Sequence, residues 1–245
     1  MKFLIDTHSH TIASGHAYST INEMILAASK KGLKLLCITD HTPNMPGAAH
    51  EIYFRNFKVI DRFLHGVEVF MGAELNLIDY EGGVDLPVNV LRRLDVCIAS
   101  FHTICLKSGT LEENTNTFLK VMDNPYVNII GHPENGSVPI NFEAIVEKAK
   151  NTNTLIEVNN SSLKPNSSRT NTHENLKKLL ETCKKIGAFI TIGSDSHFYT
   201  QVGENELAIK LINEVNFPHE LIINTNVQKF KEFIQIKRKN IIEKI

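Results

Sequence analysis

Residues 33–41 read Leu-Lys-Leu-Leu-Cys-Ile-Thr-Asp-His, an almost unbroken apolar run that stops on an acid and an imidazole. A strand with one wet face alternates apolar and polar residues. A run this continuous suits a strand buried on both faces of a parallel sheet. Working outward, the same pattern recurs at 2–6, 67–72, 94–100, 127–131, 154–158 and 188–193. Helical patterns fill the intervals. Thr20 and Glu23 stand at capping-box spacing, Ile21, Met24, Ile25 and Ala28 share one face, and Gly32 stops the helix. Further helices are predicted over 56–64, 114–122, 142–150, 173–186, 204–213 and 227–237. Strand alternates with helix and no Gly- or Pro-rich linker divides the chain, which favours a single α/β barrel domain over residues 1–245.

Side chains that bind metals collect at one end of these runs. His8 and His10 follow the first, His41 the second, Glu74 the third, His102 the fourth, His132 the fifth, and Asp195 with His197 the seventh. His16 lies in the loop after the first. In a parallel barrel the carboxyl ends of all strands face the same way, so residues far apart in sequence meet around one centre. His8 and His10, two apart in extended chain, share a face. Stability alone gives no reason for strand after strand to end in a ligand. The mixture of neutral imidazole and carboxylate suits zinc, manganese or iron. The sixth run ends instead in Asn159 and Asn160, placed to bind substrate or to orient a ligand. Asp6 and Asp40 stand beside ligands, where each either accepts from the far nitrogen of an imidazole or is a solvated or capping aspartate. His50 reads as a loop or substrate-contact residue rather than a tenth ligand, and His65, His173 and His219, which lack strand-end positions, read as surface or helix residues. The loop 42–53 is long for its type and is a candidate lid or pocket wall. The charged run 237–244 reads as a solvated helix end.

Composition narrows the function classes. With 42% hydrophobic and 22% charged residues the 245-residue chain has the balance of an ordinary globular enzyme. A formal net charge of −1 supplies no overall positive field for nucleic acid or an anionic membrane. The start, MKFLIDTHSH, lacks the apolar core of a secretory signal, and no run approaches the ~20 apolar residues of a membrane span. A cytoplasmic protein is expected. Cys37, Cys97, Cys105 and Cys183 form no CxxC pair, which argues against a disulfide framework or a cysteine zinc site. Cys37 and Cys97 lie inside apolar runs and read as buried, inert thiols.

DTHSH at 6–10, His16 within SGHAYS, TDH at 39–41, Glu74, Phe101-His102, GHP at 131–133 and GSDSH at 193–197 resemble the signature of the polymerase and histidinol phosphatase (PHP) superfamily. The resemblance covers essentially the whole chain and is strongest to small stand-alone bacterial PHP phosphatases. It implies a distorted (β/α)7 TIM-like barrel and three divalent cations, zinc foremost, with manganese or iron as alternatives. It further implies that His8, His10, Glu74 and Asp195 hold one metal. Glu74 would bridge to a second held by His102 and His132, and His16, His41 and His197 would hold the third. Glu74, Asp195 and His197 are then the expected catalytic members. Arg169 and Asn159 are the candidates for contact with a small phosphorylated substrate. Glu134 and the loop 163–168 look peculiar to this chain and bear on substrate identity. The implied chemistry is hydrolysis of a phosphate monoester by metal-activated hydroxide, with no serine or cysteine nucleophile. Histidinol phosphate hydrolysis, a diesterase or nuclease of the same superfamily, and a non-catalytic metal-binding module are the rival readings.

Overall fold

The computed structural model describes residues 2–242. Its strands are β1 (Ile5–Asp6), β2 (Leu35–Ile38), β3 (Phe63–Leu64), β4 (Val67–Met71), β5 (Ala73–Asn76), β6 (Cys97–Ser100), β7 (Ile129–Gly131), β8 (Leu155–Asn159) and β9 (Ile190–Gly193). They form two sheets, ordered β1-β2-β4-β3 and β5-β6-β7-β8-β9. All pairings are parallel except that of β3 with β4. The helices are α1 (Ile21–Lys30), α2 (Glu51–Arg55), α3 (Val88–Leu91), α4 (Leu111–Val121), α5 (Phe142–Asn151), α6 (Thr172–Ile186), α7 (Glu206–Glu214) and α8 (Val227–Ile242). None of the described helices is long and apolar enough to cross a membrane.

The apolar runs are continuous because successive strand residues enter two different cores. Leu36, Ile38, Val69, Met71, Leu75, Ile130, Ile156 and Ile190 join the larger cluster, packed with helices. The alternate residues Ile5, Leu35, Cys37, Ile98, Ile129 and Leu155 join a smaller cluster closed by Phe230, Phe233 and Ile234 of α8. At ~1.5–3 kcal/mol per large apolar side chain, both clusters must be filled for these short strands to hold.

Two expectations fail. The third strand ends beside Gly72 as expected, at Met71, but no loop follows it. There the chain leaves the first sheet and continues as β5 in the second, so Glu74 lies within a strand rather than after one. Gly72 permits the crossing because a Cβ at that position would lie 2.2 Å from the Val96 carbonyl oxygen. The helix expected over 56–64 is a 3-10 turn, Phe57–Val59, followed by β3. Phe57, Ile60 and Leu64 have helical spacing, but Arg62 binds the carbonyls of Phe57 (2.8 Å) and Ile60 (2.9 Å) through Nη1, and its Nε donates to Asp95 (2.8 Å). Those bonds hold the segment open for pairing with β4. The first helix follows expectation: Thr20 and Glu23 complete both halves of the capping box.

The solvated reading of the C-terminal charges also fails at Lys237. Its side chain is buried, and Nζ donates to Met122 O (2.9 Å), Val127 O (2.7 Å) and Thr154 Oγ1 (2.9 Å). These acceptors precede β7 and β8, so α8 is pinned at the end of the strands opposite the candidate ligands. The part of the run beyond residue 242 lies outside the described residues.

Candidate metal centre

The carboxyl ends of the strands bring the predicted donors together around Glu74. Its Oε2 lies 3.4 Å from His8 Nε2, 3.5 Å from His10 Nε2 and 2.7 Å from His41 Nδ1. Its Oε1 lies 2.9 Å from His132 Nε2 and 3.3 Å from His102 Nε2. One carboxylate therefore faces two separate sets of imidazoles. Asp195 Oδ1 lies 3.2 Å from His10 Nε2 and 3.7 Å from His8 Nε2. His16 stacks at 4.9 Å, centroid to centroid, on both His41 and His197. Donor atoms close enough to share an ion fall into three groups: His8, His10 and Glu74; His41, Glu74 and His102; and His10, His41 and His197. Two of the donors, His132 (φ 30) and Asp195 (φ 52), sit in left-handed backbone, a strain that recurs at functional sites.

Hydrogen bonds fix which nitrogen four of the rings present. His8 Nδ1 donates to Glu157 Oε1 at 2.7 Å. Ser14 Oγ donates to Asp40 Oδ1 (2.7 Å) and takes the His41 backbone N–H (3.0 Å), leaving one acceptor site for His10 Nδ1 (3.1 Å). Asn76 Nδ2 donates to Asp85 Oδ2 (2.8 Å) and Thr42 O (3.1 Å), which turns its Oδ1 toward His102 Nδ1 (2.7 Å). His197 Nδ1 donates to the Asp195 carbonyl (3.1 Å). In these four rings, when neutral, the Nε2 lone pair is thus free, and for His8, His10 and His102 it turns toward Glu74. His8 Nε2 and His10 Nε2 face each other at 3.0 Å, a contact that needs a positive particle between them. Glu74 Oε2 and His41 Nδ1 are buried without any hydrogen-bond partner. Buried polar atoms left open in this way fit a set of divalent cations.

Electrostatics point the same way. Burial opposes charge on His8, but Glu157, Glu74 and Asp195 outweigh it and hold its pKa well above the ordinary imidazole value. Burial, with His41 and His197, drives His10 well below that value, so the facing pair shares one proton where a cation would sit. His132 is pushed down to about 4 by burial and then by Arg169. Burial alone would raise Glu74 and Asp195, yet the surrounding imidazoles, and Arg169 for Asp195, keep both carboxyls well below their usual range.

Glu157, in β8, escaped the sequence reading. It is fully buried, orients His8, and accepts from the His132 backbone N–H (2.8 Å). Gly193 makes room for it, since a Cβ there would come within 2.1 Å of Glu157 Oε1. The signal was available: one carboxylate inside an apolar run buried on both faces demands a partner. Asp6 and Asp40, by contrast, touch no imidazole directly. Asp6 takes Ser194 N (3.0 Å), Ser194 Oγ (2.6 Å) and Gly203 N (2.7 Å), while Asp40 takes Thr11 N (2.6 Å), Ser14 Oγ and Tyr53 Oη (2.7 Å). Both fasten the ligand loops.

A cavity of about 410 Å³ opens onto the donors, lined by His16, His41, His102, Asp195 and His197 together with Arg169. Arg169 donates through both terminal nitrogens to Asp195 Oδ2 at 3.1 Å. Asn159 is buried, donates to Asp195 Oδ2 (3.1 Å) and accepts from Ser162 N (2.9 Å), which suits it to orienting Asp195. Asn160 Oδ1 accepts from the first turn of α7 at Leu207 N and Ala208 N, both 3.1 Å. Glu134 is buried without a hydrogen-bond partner and pushed up to about 7 by burial, an effect Arg169 reduces. From the loop 42–53 only Met45 lines the cavity, and His50 caps α2. His16, His132 and Asp195 lie outside the three donor groups but border them through the contacts above, whereas His65, His173 and His219 join none of the groups and stand away from the cavity.

A probable phosphatase of Acetivibrio thermocellus is 47% identical over 244 residues, covering 100% of both chains. A probable phosphatase of Caldicellulosiruptor saccharolyticus is 47% identical over 237 residues, covering 97% of this chain and 98% of that one. Among solved structures, histidinol phosphate phosphatase from Lactococcus lactis, complexed with zinc, L-histidinol and phosphate, superposes with a TM-score of 0.58 at 19% identity. That match covers 87% of this chain and 94% of the other and bears on the fold. The model of the PHP domain matches residues 6–156, a span that takes in His8, His10, His16, His41, Glu74, His102 and His132. With that match and with full-length relatives sharing nearly half its residues, the chain belongs to the PHP domain family.

Proposed function

We propose that this chain is a metal-dependent phosphatase that hydrolyses phosphate monoesters at a cluster of three divalent cations, with zinc the best match to its donors. The carrying observation is the convergence of five imidazoles on the two oxygens of Glu74, with Oε2 and the facing His41 Nδ1 left without a hydrogen bond. In this reading His8, His10, Glu74 and Asp195 hold one cation. Glu74, His102 and His132 hold the second, and His16, His41 and His197 the third. Zinc and phosphate in the Lactococcus lactis enzyme, and the phosphatase names of the relatives, support it. The same reading takes the two sheets as one distorted barrel, supported by parallel bridges at Ser9–Ser196 and His41–Glu74.

Bound cations would lower the pKa of a water from 15.7 toward ~7 and offset charge on the phosphate oxygens. The chain's own part is placement. Glu74 spaces two sites because its oxygens face different imidazoles. Asp195 keeps Oδ1 toward the cluster, while Oδ2 holds the Arg169 guanidinium at the cavity wall, where its fork suits phosphate oxygens. Glu157, Ser14 and Asn76 keep the rings in the tautomers that present Nε2.

The test is elemental analysis of tag-free protein coupled to phosphate release from a monoester panel that includes histidinol phosphate, plus one diester. About three metals per chain with monoester turnover is the expected result for such a cluster. Diester cleavage alone would make the protein a phosphodiesterase, and bound metal without turnover would remove the enzyme reading.

A further inference from the structure

One wall of the cavity comes from residues 161–169, Ser-Ser-Leu-Lys-Pro-Asn-Ser-Ser-Arg. Ser161, Lys164, Asn166, Ser167, Ser168 and Arg169 all line it, and Gln201 joins them from the segment after His197. Met45 is the single apolar lining residue. The segment is fastened: Thr172 Oγ1 donates to Ser162 O (2.8 Å), Arg169 Nη1 to Ser162 Oγ (3.0 Å), and Lys164 pairs with Glu204 (2.7 Å). Its hydroxyls and amides are therefore presented from a fixed frame, which limits the ordering cost of binding.

Small-molecule sites are ordinarily walled by apolar and aromatic side chains with a few polar groups among them. Here the proportion is reversed. The exposed rings of Tyr18, Phe198 and Tyr199 flank His16 and His197 in sequence but do not line the cavity, so no stacking surface meets an aryl group or a base. A hydrocarbon body placed against this wall would strip water from its amides and hydroxyls without replacing the hydrogen bonds. A volume of about 410 Å³ holds a phosphate with a body of a few carbons.

We infer that the substrate is a small phosphate monoester whose alcohol half is rich in hydroxyl groups, of the sugar-phosphate or polyol-phosphate kind. This rests on the phosphatase reading and adds the class of substrate to it.

The experiment measures kcat/KM on full-length enzyme loaded with zinc or manganese. Glycerol 3-phosphate and hexose 6-phosphates are compared with n-propyl and n-hexyl phosphate, all esters of primary alcohols, beside an activated aryl phosphate. The hydroxylated esters should lead their alkyl counterparts by roughly 100-fold or more, as when a site built for hydroxyl groups meets a substrate lacking them. Parity within roughly threefold, or turnover of the aryl ester alone, overturns the inference and leaves the phosphatase standing. Release from none of them overturns both. The double variant Asn166→Ala, Ser168→Ala lies on exposed loop positions and should shrink the ratio about tenfold, through KM for the hydroxylated esters. Equal loss on both series would assign the wall no part in selection.

Discussion

Charge is buried at both ends of the strands, and the two ends are finished differently. Beneath α8, the Lys237 ammonium has three acceptors for its three hydrogens. At the carboxyl ends, Glu74 Oε2 is equally sealed from water yet forms no hydrogen bond, with three imidazoles within 3.5 Å. A buried polar group whose bonding capacity is filled holds the architecture together. One left open marks where something else belongs. Burial alone does not separate the two cases; the count of partners does.

The contrast can be broken first at Glu74. Glu74→Gln should lower turnover by at least ~1,000-fold and strip metal, the scale seen when transition-state charge loses its stabiliser, while the metal-free protein melts near wild type. A full complement of metal in that variant would end the assignment. Glu157→Gln should weaken metal binding by ~10–100-fold, measured by chelator competition. It also carries a pH signature. His8 has a raised pKa when folded, so its proton contributes stability fully below the ordinary imidazole value of ~6.5, and that contribution is lost as pH rises through the raised value. The gap in metal-free Tm between wild type and variant should therefore be widest in acid and narrow upward; a constant gap would mean Glu157 does not act through His8.

At the opposite end, Lys237→Met should cost about 2–3 kcal/mol in denaturant unfolding, because two carbonyls and a hydroxyl lose their donor. Metal content per folded chain should not change, and if it does the two ends are not independent. Burial holds Lys237 down to about 7. Unfolded lysine titrates near 10.4, so between those values the unfolded chain takes a proton the folded one lacks, and wild-type stability should gain as pH rises. The variant should flatten that slope. The smallest effect is expected from Asp85→Asn, which frees the Asn76 amide to turn over and offer nitrogen to His102. Metal affinity should fall about tenfold. Nitrogen NMR of the metal-free variant should find the His102 proton moved from Nδ1 to Nε2; a proton still on Nδ1 would show that Asp85 does not set the tautomer.

His8, His10, His41, His102, His132, Asp195 and His197 were legible because each stands just past the end of an apolar run, and a parallel sheet converts that position into proximity without further information; Glu74 was found by its neighbours in the motif pattern although it lies inside β5. The supports were not. Glu157 is hidden by the run that buries it, and Ser14, Asn76 and Asp85 are residue types that turns use everywhere. Residues 56–64 misled because Phe57, Ile60 and Leu64 match a helix, while the decisive bond, from Arg62 to Asp95, spans 33 positions. The break at Gly72 left no mark either, since Ala73 and Leu75 continue the apolar pattern across it. The solvated reading of 237–244 took charge for exposure, and Lys237 shows that a lysine with enough carbonyls around it can serve as a core residue.

Gly72 has one more consequence. By passing the chain from the first sheet to the second two residues before Glu74, it puts the donor cluster astride the seam between them. His8, His10 and His41 extend from strands of one sheet, while Glu74, His102, His132 and Asp195 belong to the other. Any ion gripped by both sets is a rivet through two plates, and drawing it out would leave the seam to its bridges and to the shared core.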